Sequence, residues 1–363
     1  MEQINNSGPY KIIKTTKHTF TLELDSTGFG DYTKQGIVEN KKVGKPLQFH
    51  PWSQSFKNPV ASSAEGMLAV PDLAKFGRSD QLHAALYGII NFVRSTNKYP
   101  GPDDVAQCLA LSKGFMDTNK GEDEGNLNLE IEEDVFKKAV MYSDCSISPM
   151  AAFFGGIIAQ EIVKFTGKYT PIKQWLHFDI YETLPREEGI NRAPLNCRYD
   201  DQIKIYGQDL QKKLSEVNLF MVGAGALGCE LIKAFALMGI ACSPQGLVSV
   251  TDNDNIEVSN LNRQFLFRQN NVGHSKSQTA CAIAKGMNKD FNVKDYMTRV
   301  GPETEDVFHD EFWDSLSFVV NAVDNIHARL YVDQRCVWYE KPLLESGTLG
   351  TKANSQMIVP HKT

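Results

Sequence analysis

The chain lacks any apolar stretch long enough to cross a bilayer. Its longest, Met150 to Ala159, runs ten residues and ends at Gln160-Glu161, about half of what a spanning helix needs. It also lacks a basic-then-apolar leader, because Met1 is followed by Glu2-Gln3, so secretion and membrane anchorage are not expected. Paired cysteines are missing too. The seven, Cys108, Cys145, Cys197, Cys229, Cys242, Cys281 and Cys336, are odd in number, scattered, and form no CxxC. That spacing excludes a zinc ribbon and fits the reducing cytosol and nucleus better than a disulfide framework. Basic excess is absent as well: 38 Lys and Arg against 44 Asp and Glu leave a net charge of −6. A nucleic-acid partner, which calls for a basic face, is therefore not expected. No internal repeat is visible. What remains is an ordinary globular composition, 42% hydrophobic and 23% charged over 363 residues, enough for two or three compact units.

The informative stretch runs from Val217 to Arg268. An apolar strand, Leu219-Phe220-Met221-Val222, runs into Gly223-Ala224-Gly225-Ala226-Leu227-Gly228, then a helix, then Val248-Ser249-Val250-Thr251-Asp252. Glycines at this spacing permit a tight strand-to-helix turn and close backbone approach to a phosphate, and the helix offers its N-terminal N–H groups to the anion. Asp252, at the end of the next strand, is placed to accept ribose hydroxyls. A GxGxxG alone also occurs as a turn that merely packs a helix on a sheet. A hydride-transferring enzyme would use the same fingerprint for NAD, so the loop leaves the nucleotide open.

Arg263 and Lys276 add cations near the same crevice, where a triphosphate needs more positive charge than a buried pyrophosphate does. Taken singly, each could be a solvated surface residue. Further on, Phe318-Val319-Val320-Asn321-Ala322-Val323 predicts another buried parallel strand with Asp324-Asn325 past its carboxyl end. Ligands of open α/β sheets bind at such an end, and a carboxylate there can hold Mg²⁺ with phosphates and water completing the shell. Asp324 is equally placed to cap a helix predicted over Ile326 to Trp338.

Several long motifs then stand in one order: Gly-Ala-Gly-Ala-Leu-Gly-Cys-Glu at 223–230, Thr-Asp-Asn-Asp at 251–254 and Ser-Asn-Leu-Asn-Arg-Gln-Phe-Leu-Phe-Arg at 259–268. They are followed by Gly-Pro-Glu-Thr-Glu at 301–305, Asn-Ala-Val-Asp-Asn at 321–325 and Lys-Pro-Leu-Leu-Glu-Ser-Gly-Thr-Leu-Gly-Thr-Lys at 341–352. Together they closely resemble the active adenylation domain of the eukaryotic, single-chain ubiquitin-activating enzymes. That domain's fold is similar to the bacterial enzymes that adenylate sulfur-carrier proteins. The resemblance implies an α/β chain: a Rossmann-like adenylation domain with a mostly parallel sheet, preceded by a small β segment and a helical bundle.

Alternation of polar and apolar residues over 8–40, punctuated by Gly28, Gly30 and Gly36, predicts two or three antiparallel strands; in the resembled family, 1–48 is the end of the first catalytic-cysteine half-domain, a small β-barrel. Leu82, Ala85, Leu86, Ile89, Ile90 and Val93 share one face of a helix that Pro100-Gly101-Pro102 stops, with shorter amphipathic stretches near 103–116 and 130–142. Residues 49–145 thus resemble the family's four-helix insertion, with Lys120 to Asn126 a solvated acidic loop. Ser148 to Phe165 predicts a nearly all-apolar helix whose Gly155-Gly156 implies close helix packing, and Gln174 to Asp179 a strand. These fall in 146–184, which resembles the end of the inactive adenylation half; 185–200 reads as a linker and 201–363 as the first part of the active adenylation domain.

The resemblance implies ATP-dependent adenylation of the C-terminal carboxylate of ubiquitin, with ATP and Mg²⁺ as cofactors. It assigns Gly223, Gly225, Ala226 and Gly228 to the phosphate-proximal turn and Asp252 to the ribose, with Asp254 beside it or merely ending its strand. Asn260, Arg263, Gln264 and Lys276 become phosphate-side contacts, Asp324 the magnesium ligand, and Asn325 a holder of the adenine-side backbone. Arg263, Lys276 and Asp324 carry the catalytic weight. The family passes the acyl group to a cysteine in a separate domain and recruits conjugating enzymes through another; neither is expected in these 363 residues, so activity of this chain alone is expected to be slight. Cys229 opens the glycine-loop helix but reads as a small packing residue. A modifier other than ubiquitin, such as SUMO, a non-catalytic nucleotide- or ubiquitin-binding module, and, more remotely, an NAD oxidoreductase are the alternatives.

Overall fold

The computed structural model describes residues 9–31, 39, 46–60, 68–119, 127, 129–186, 189–350 and 352–363. Near the start, β1 (Ile12–Thr15) and β2 (Phe20–Leu22) pair antiparallel; of the rest of the expected β segment, 23–31 form no strand, and 32–38 and 40, like the acidic loop at 120–126, lie outside the described residues. The helical part follows as α1 (Trp52–Lys57), α2 (Arg78–Thr96), α3 (Val105–Thr118) and α4 (Glu133–Met141). Asn97, in the left-handed region at φ 56°, ends α2 before Pro100 is reached.

The buried face of α2 includes the expected one and is broader. Ala84, Ala85, Tyr87, Ile89 and Phe92 are buried in one cluster with Phe56, Cys108, Met116, Phe136 and Val140. Leu86, Ile90 and Val93 are only partly buried and, with Leu82, line a groove shared with Tyr142, Phe154 and Phe178. Ala85 and Ile89 of the expected face lie in that cluster and Leu86, Ile90 and Val93 pack against it, so the aromatic cluster around Phe56 widens the expected face by Ala84, Tyr87 and Phe92.

The next helix, α5 (Ser148–Lys164), forms as expected but buries none of its residues. A Cβ added at Gly155 or Gly156 would meet no atom within 4 Å, so the glycine pair does not mark close packing in this chain. The strand expected at Gln174 to Asp179 is also absent. Gln174 sits at φ 74°, which breaks an extended run, and its side chain bonds both backbone groups of His50 (2.9 and 3.0 Å). The segment is fastened by side chains instead of a ladder, as when the Trp175 Nε1–H donates to the Ser55 carbonyl (3.1 Å).

Two short helices, α6 (Asp200–Tyr206) and α7 (Gln208–Ser215), lead into the sheet. Its chain order is β3 (Asn218–Val222), α8 (Ala226–Met238), β4 (Leu247–Thr251), α9 (Lys276–Met287) and β5 (Val293–Tyr296). Then come α10 (Asp310–Asp314), β6 (Phe318–Asn321), α11 (Ile326–Trp338), β7 (Leu343–Leu349) and β8 (Lys352–Ile358). Spatial order is β5-β4-β3-β6-β7-β8, with β8 antiparallel and every other pairing parallel. Because β3 is central and covered on both faces, its run is continuously apolar. Leu219 and Met221 meet Ile232, Phe235 and Ala280 on one face; Phe220 and Val222 meet Phe308, Trp313 and Val332 on the other. The chain leaves β3 toward β4 on one side and returns as β6 on the other, so the crevice at their carboxyl ends is a topological switch point. Among the described residues no helix is long and apolar enough to cross a membrane.

A buried histidine pair ties α2 to the 174–180 segment. His83 Nε2 lies 3.1 Å from the Phe56 carbonyl, which only accepts, so Nε2 carries the proton and Nδ1 accepts from His177 Nε2 at 3.0 Å. Burial pushes His83 down to about 4 and His177 down to about 3. Both therefore stay neutral in the fold while an unfolded histidine gains its proton near 6.5. Stability is expected to be flat above that value and to fall between about pH 6.5 and 4, by roughly 1.4 kcal/mol per pH unit for each histidine. Urea midpoints at pH 7.5 and 5 measure it, and the difference should shrink in His83→Phe/His177→Phe.

Candidate functional site

At the carboxyl ends of β3, β4, β6 and β7 lies a cleft of about 1240 Å³. Its floor is the turn from β3 into α8. Gly223 stands at φ +102°, and a Cβ there would come 2.5 Å from the Ala322 carbonyl, so the turn can pass beneath the end of β6 only with glycine. Gly225 precedes α8 and no side chain caps that helix; a Cβ on Gly225 would reach nothing closer than Gln264, 3.8 Å away. The N-terminal N–H groups of α8 thus face the cleft across a bare backbone.

Gly228 does not line the cleft. A Cβ there would press to 2.3 Å on the Gly223 carbonyl, so its place is in seating α8 against the turn, a correction to its assignment beside the phosphate. The other eleven expected residues, Gly223, Gly225, Ala226, Asp252, Asp254, Asn260, Arg263, Gln264, Lys276, Asp324 and Asn325, all line the cleft.

Asp252 anchors the turn as well as facing the cavity. Its Oδ2 accepts from the Ala224 N–H (2.7 Å) and its Oδ1 from the Asp254 N–H (2.9 Å). Burial nevertheless pushes its pKa up, against the pull of those two backbone donors and of Lys276. Lys276, at the first position of α9, is largely buried and its Nζ holds Asp254 Oδ2 at 2.7 Å. The Gln264 side chain is buried and its Oε1 finds no partner among the described residues, an acceptor left for something outside the protein. Asn260 Oδ1 accepts from the Glu257 N–H (3.0 Å).

Past β6 the structure reverses two expectations. The cap of α11 is Asn325, whose Oδ1 accepts from the N–H groups of His327 (2.8 Å) and Ala328 (3.4 Å); Asp324 is not the cap. Asn325 is thereby committed to its own helix, which leaves its side chain little for an adenine-side backbone. Asp324 is exposed on the cleft and forms no ion pair among the described residues.

Residues that the sequence reading did not single out complete the wall: Arg299, Arg329 and Lys352. Arg329 is spoken for by Glu345, and Lys276 by Asp254. Arg263, Arg299 and Lys352 line the cleft with no carboxylate partner among the described residues. Only the 341–352 motif hinted at this wall, because Lys352 lies on β8 and Arg329 a turn inside α11, both far in sequence from the glycine turn.

The donor set fits a nucleoside triphosphate: a bare glycine cradle, an uncapped helix N-terminus and three unmatched cations, with the Gln264 Oε1 acceptor left for an N–H or O–H of the ligand. For a divalent metal, no group of three His, Cys, Asp or Glu that could hold one occurs among the described residues. Among the described residues the lining thus provides no all-protein cage, whereas a Mg²⁺ shared between Asp324, phosphate oxygens and water fits.

Residues 199–363 match the model of the ThiF family, residues 1–42 that of the ubiquitin-activating enzyme E1 FCCH domain, and residues 43–115 that of the ubiquitin-activating enzyme E1 four-helix bundle. Over 366 residues, the whole of this chain and 33% of the relative, it is 44% identical to Ubiquitin-activating enzyme E1 2 of Arabidopsis thaliana. Over 372 residues it is 42% identical to Ubiquitin-like modifier-activating enzyme 1 of Homo sapiens, again with the whole chain aligned, to 34% of that protein. The chain spans about a third of the length of these relatives. A solved structure titled "Crystal structure of E. coli MccB + MccA-N7isoASN" aligns with 46% of this chain and 49% of its own at 26% identity, with a TM-score of 0.41.

The two glycine environments make opposite demands. Gly225→Ala should leave the thermal transition near its original temperature and weaken ATP binding, because its methyl enters open cleft. Gly228→Ala should cost about 1–3 kcal/mol of stability through overpacking. Thermal unfolding and calorimetric titration of both variants separate the two roles.

Proposed function

We propose, from the premise that this chain corresponds along its whole length to a segment of the ubiquitin-activating enzymes E1, that its cleft adenylates the C-terminal carboxylate of ubiquitin at the expense of ATP. One observation carries the proposal. The switch-point crevice joins an uncapped helix N-terminus to three unmatched cations and a free Asp324, which is the complement of a triphosphate with its metal. A pyrophosphate bridging two nucleosides calls for less positive charge.

In the proposed reaction an oxygen of the modifier's terminal carboxylate forms a bond to the α-phosphorus of ATP. The bond from that phosphorus to the bridging β-phosphate oxygen breaks, leaving an acyl adenylate and pyrophosphate. A carboxylate is already ionised at neutral pH, so no base is needed, and positioning and charge stabilisation carry the step. The α8 N–H groups and Gly225 seat phosphate oxygens, Asp252 takes the ribose while fixing the turn, and Gln264 Oε1 offers an acceptor to the ligand. Arg263 and Lys276 face the outer phosphates, Lys276 by turning from Asp254. Mg²⁺ held at Asp324 would screen charge between the phosphates.

Six of the seven cysteines, all but the exposed Cys197, support a division of labour with another part of a longer protein. Burial pushes Cys108 up to about 11 and Cys145, Cys229, Cys281 and Cys336 up to about 12, and it raises Cys242 as well. Thiols held so far above neutrality are poor nucleophiles. A cytosolic and nuclear location, and conjugating enzymes as downstream partners, follow as parts of the same proposal.

The test is pyrophosphate exchange by the complete gene product, expected with ubiquitin and absent without it; exchange with SUMO alone would reassign the modifier, and none with any modifier would sink the reading. Arg263→Ala and Lys276→Ala should each weaken ATP more than AMP, by roughly 1.5–3 kcal/mol, the worth of a charge-assisted hydrogen bond. Mass spectrometry after incubation with MgATP and ubiquitin should find no DTT-sensitive adduct on any of the seven cysteines.

A further inference from the structure

Between the end of β6 and the start of α11, every residue but one is tied to the protein. Asn321 Nδ2 donates to Glu345 Oε2 (2.8 Å), and its carbonyl accepts from the Ser346 hydroxyl (2.8 Å). The Ala322 N–H donates to the Val222 carbonyl (2.8 Å). The Val323 carbonyl accepts from the Arg329 guanidinium, and Asn325 caps α11. Asp324 alone, exposed at the cleft, has no ion-pair partner among the described residues.

The guanidinium of Arg329 is the hub. One nitrogen pairs with Glu345 Oε1, and the other donates to the carbonyls of Val323 and, at 3.1 Å, Ser346. Glu345 stands opposite Asn321 in the β6–β7 register, so one carboxylate joins the end of the strand to the arginine that holds the loop. Room for the guanidinium exists because residue 347 is glycine: a Cβ there would lie 2.9 Å from Arg329 Nη2. With its charge matched by Glu345 and three of its donors committed, Arg329 is a fixed strut at the cleft wall, unlike Arg263.

We propose that the Arg329–Glu345 pair positions Asp324 for the metal of the nucleotide complex, making both of them positioning residues for the adenylation step. This rests on the ATP and magnesium reading above. A planar fork reaching a carboxylate and two carbonyls at once is something lysine cannot reproduce. Loss of the fork frees the Val323 carbonyl and, with it, the direction in which the next residue presents its carboxylate.

The test uses the complete gene product carrying Arg329→Gln, Arg329→Lys, Glu345→Gln or Asp324→Ala. ATP affinity is measured by calorimetry with and without Mg²⁺, and the Mg²⁺ dependence of pyrophosphate exchange is measured alongside. Arg329→Gln should leave metal-free ATP affinity unchanged and abolish the gain that Mg²⁺ gives, as Asp324→Ala does. Its half-saturating Mg²⁺ in exchange should rise on the order of 10- to 100-fold, the usual cost of removing an outer support of a metal ligand. Glu345→Gln should shift in the same direction by less, and Arg329→Lys should recover only part. A folded Arg329→Gln protein with the full Mg²⁺ gain would overturn the proposal. Should that variant fail to fold, Glu345→Gln decides, and an unshifted Mg²⁺ dependence there overturns it equally. If wild-type protein binds ATP with no Mg²⁺ gain, the metal reading falls first and takes this proposal with it.

Discussion

The cleft depends on one carboxylate. Asp252, at the end of β4, accepts from the Ala224 N–H on the β3–α8 turn and from the Asp254 N–H on the way to α9. Those two bonds fasten the exits of neighbouring parallel strands to each other, and they fix where the α8 N-terminus points. The Ser277 hydroxyl donates to the Asp252 carbonyl (3.2 Å), which brings the start of α9, and so Lys276, to the same point. Burial raises the pKa of Asp252, and the two backbone donors and Lys276 oppose that rise. Such a group is both structure and binding surface, since each oxygen retains a lone pair for a ligand hydroxyl.

Charge in the cleft is divided in two. Lys276 and Arg329 are paired with Asp254 and Glu345 and hold backbone in place while at rest. Among the described residues Arg263 reaches only the Ser259 carbonyl (2.9 Å) and the Asn262 side chain (3.2 Å), neutral partners that leave its charge available to an anion. A pocket whose cations were all paired would bind polyphosphate weakly, because each contact would first break an ion pair. One with none paired would repel itself open. The arrangement here provides rigid walls from the first group and attraction from the second.

Much of this was legible in the sequence because the signals are local. The strands around Leu219 to Val222 and Val248 to Thr251, the turn between them, and a helix over Ile326 to Trp338 are written in consecutive residues, and they form where expected. Eleven of the twelve expected site residues meet at one cleft, since a switch point gathers strand ends whatever the details. What escaped was set by tertiary geometry. Asn325 and not Asp324 is the cap, in a loop held by Arg329, whose partner Glu345 lies on another strand. The extended stretch at 174–179 carries strand-like residues, yet Gln174 sits at φ 74° and it is its side chain that bonds the backbone of His50. Gly155-Gly156 resembles a packing device, but among the described residues no atom lies within 4 Å of where either Cβ would be.

The central claim is that the bare backbone at the start of α8 receives phosphate. Hydrogen–deuterium exchange of the complete gene product, with MgATP and without nucleotide, tests it directly at the amides of Gly225, Ala226 and Leu227, which line the cleft. Strong slowing is predicted at these three amides on adding MgATP, and a much weaker effect from adenosine, which carries no phosphate. Unchanged exchange there, with protection appearing at some other surface, would contradict it.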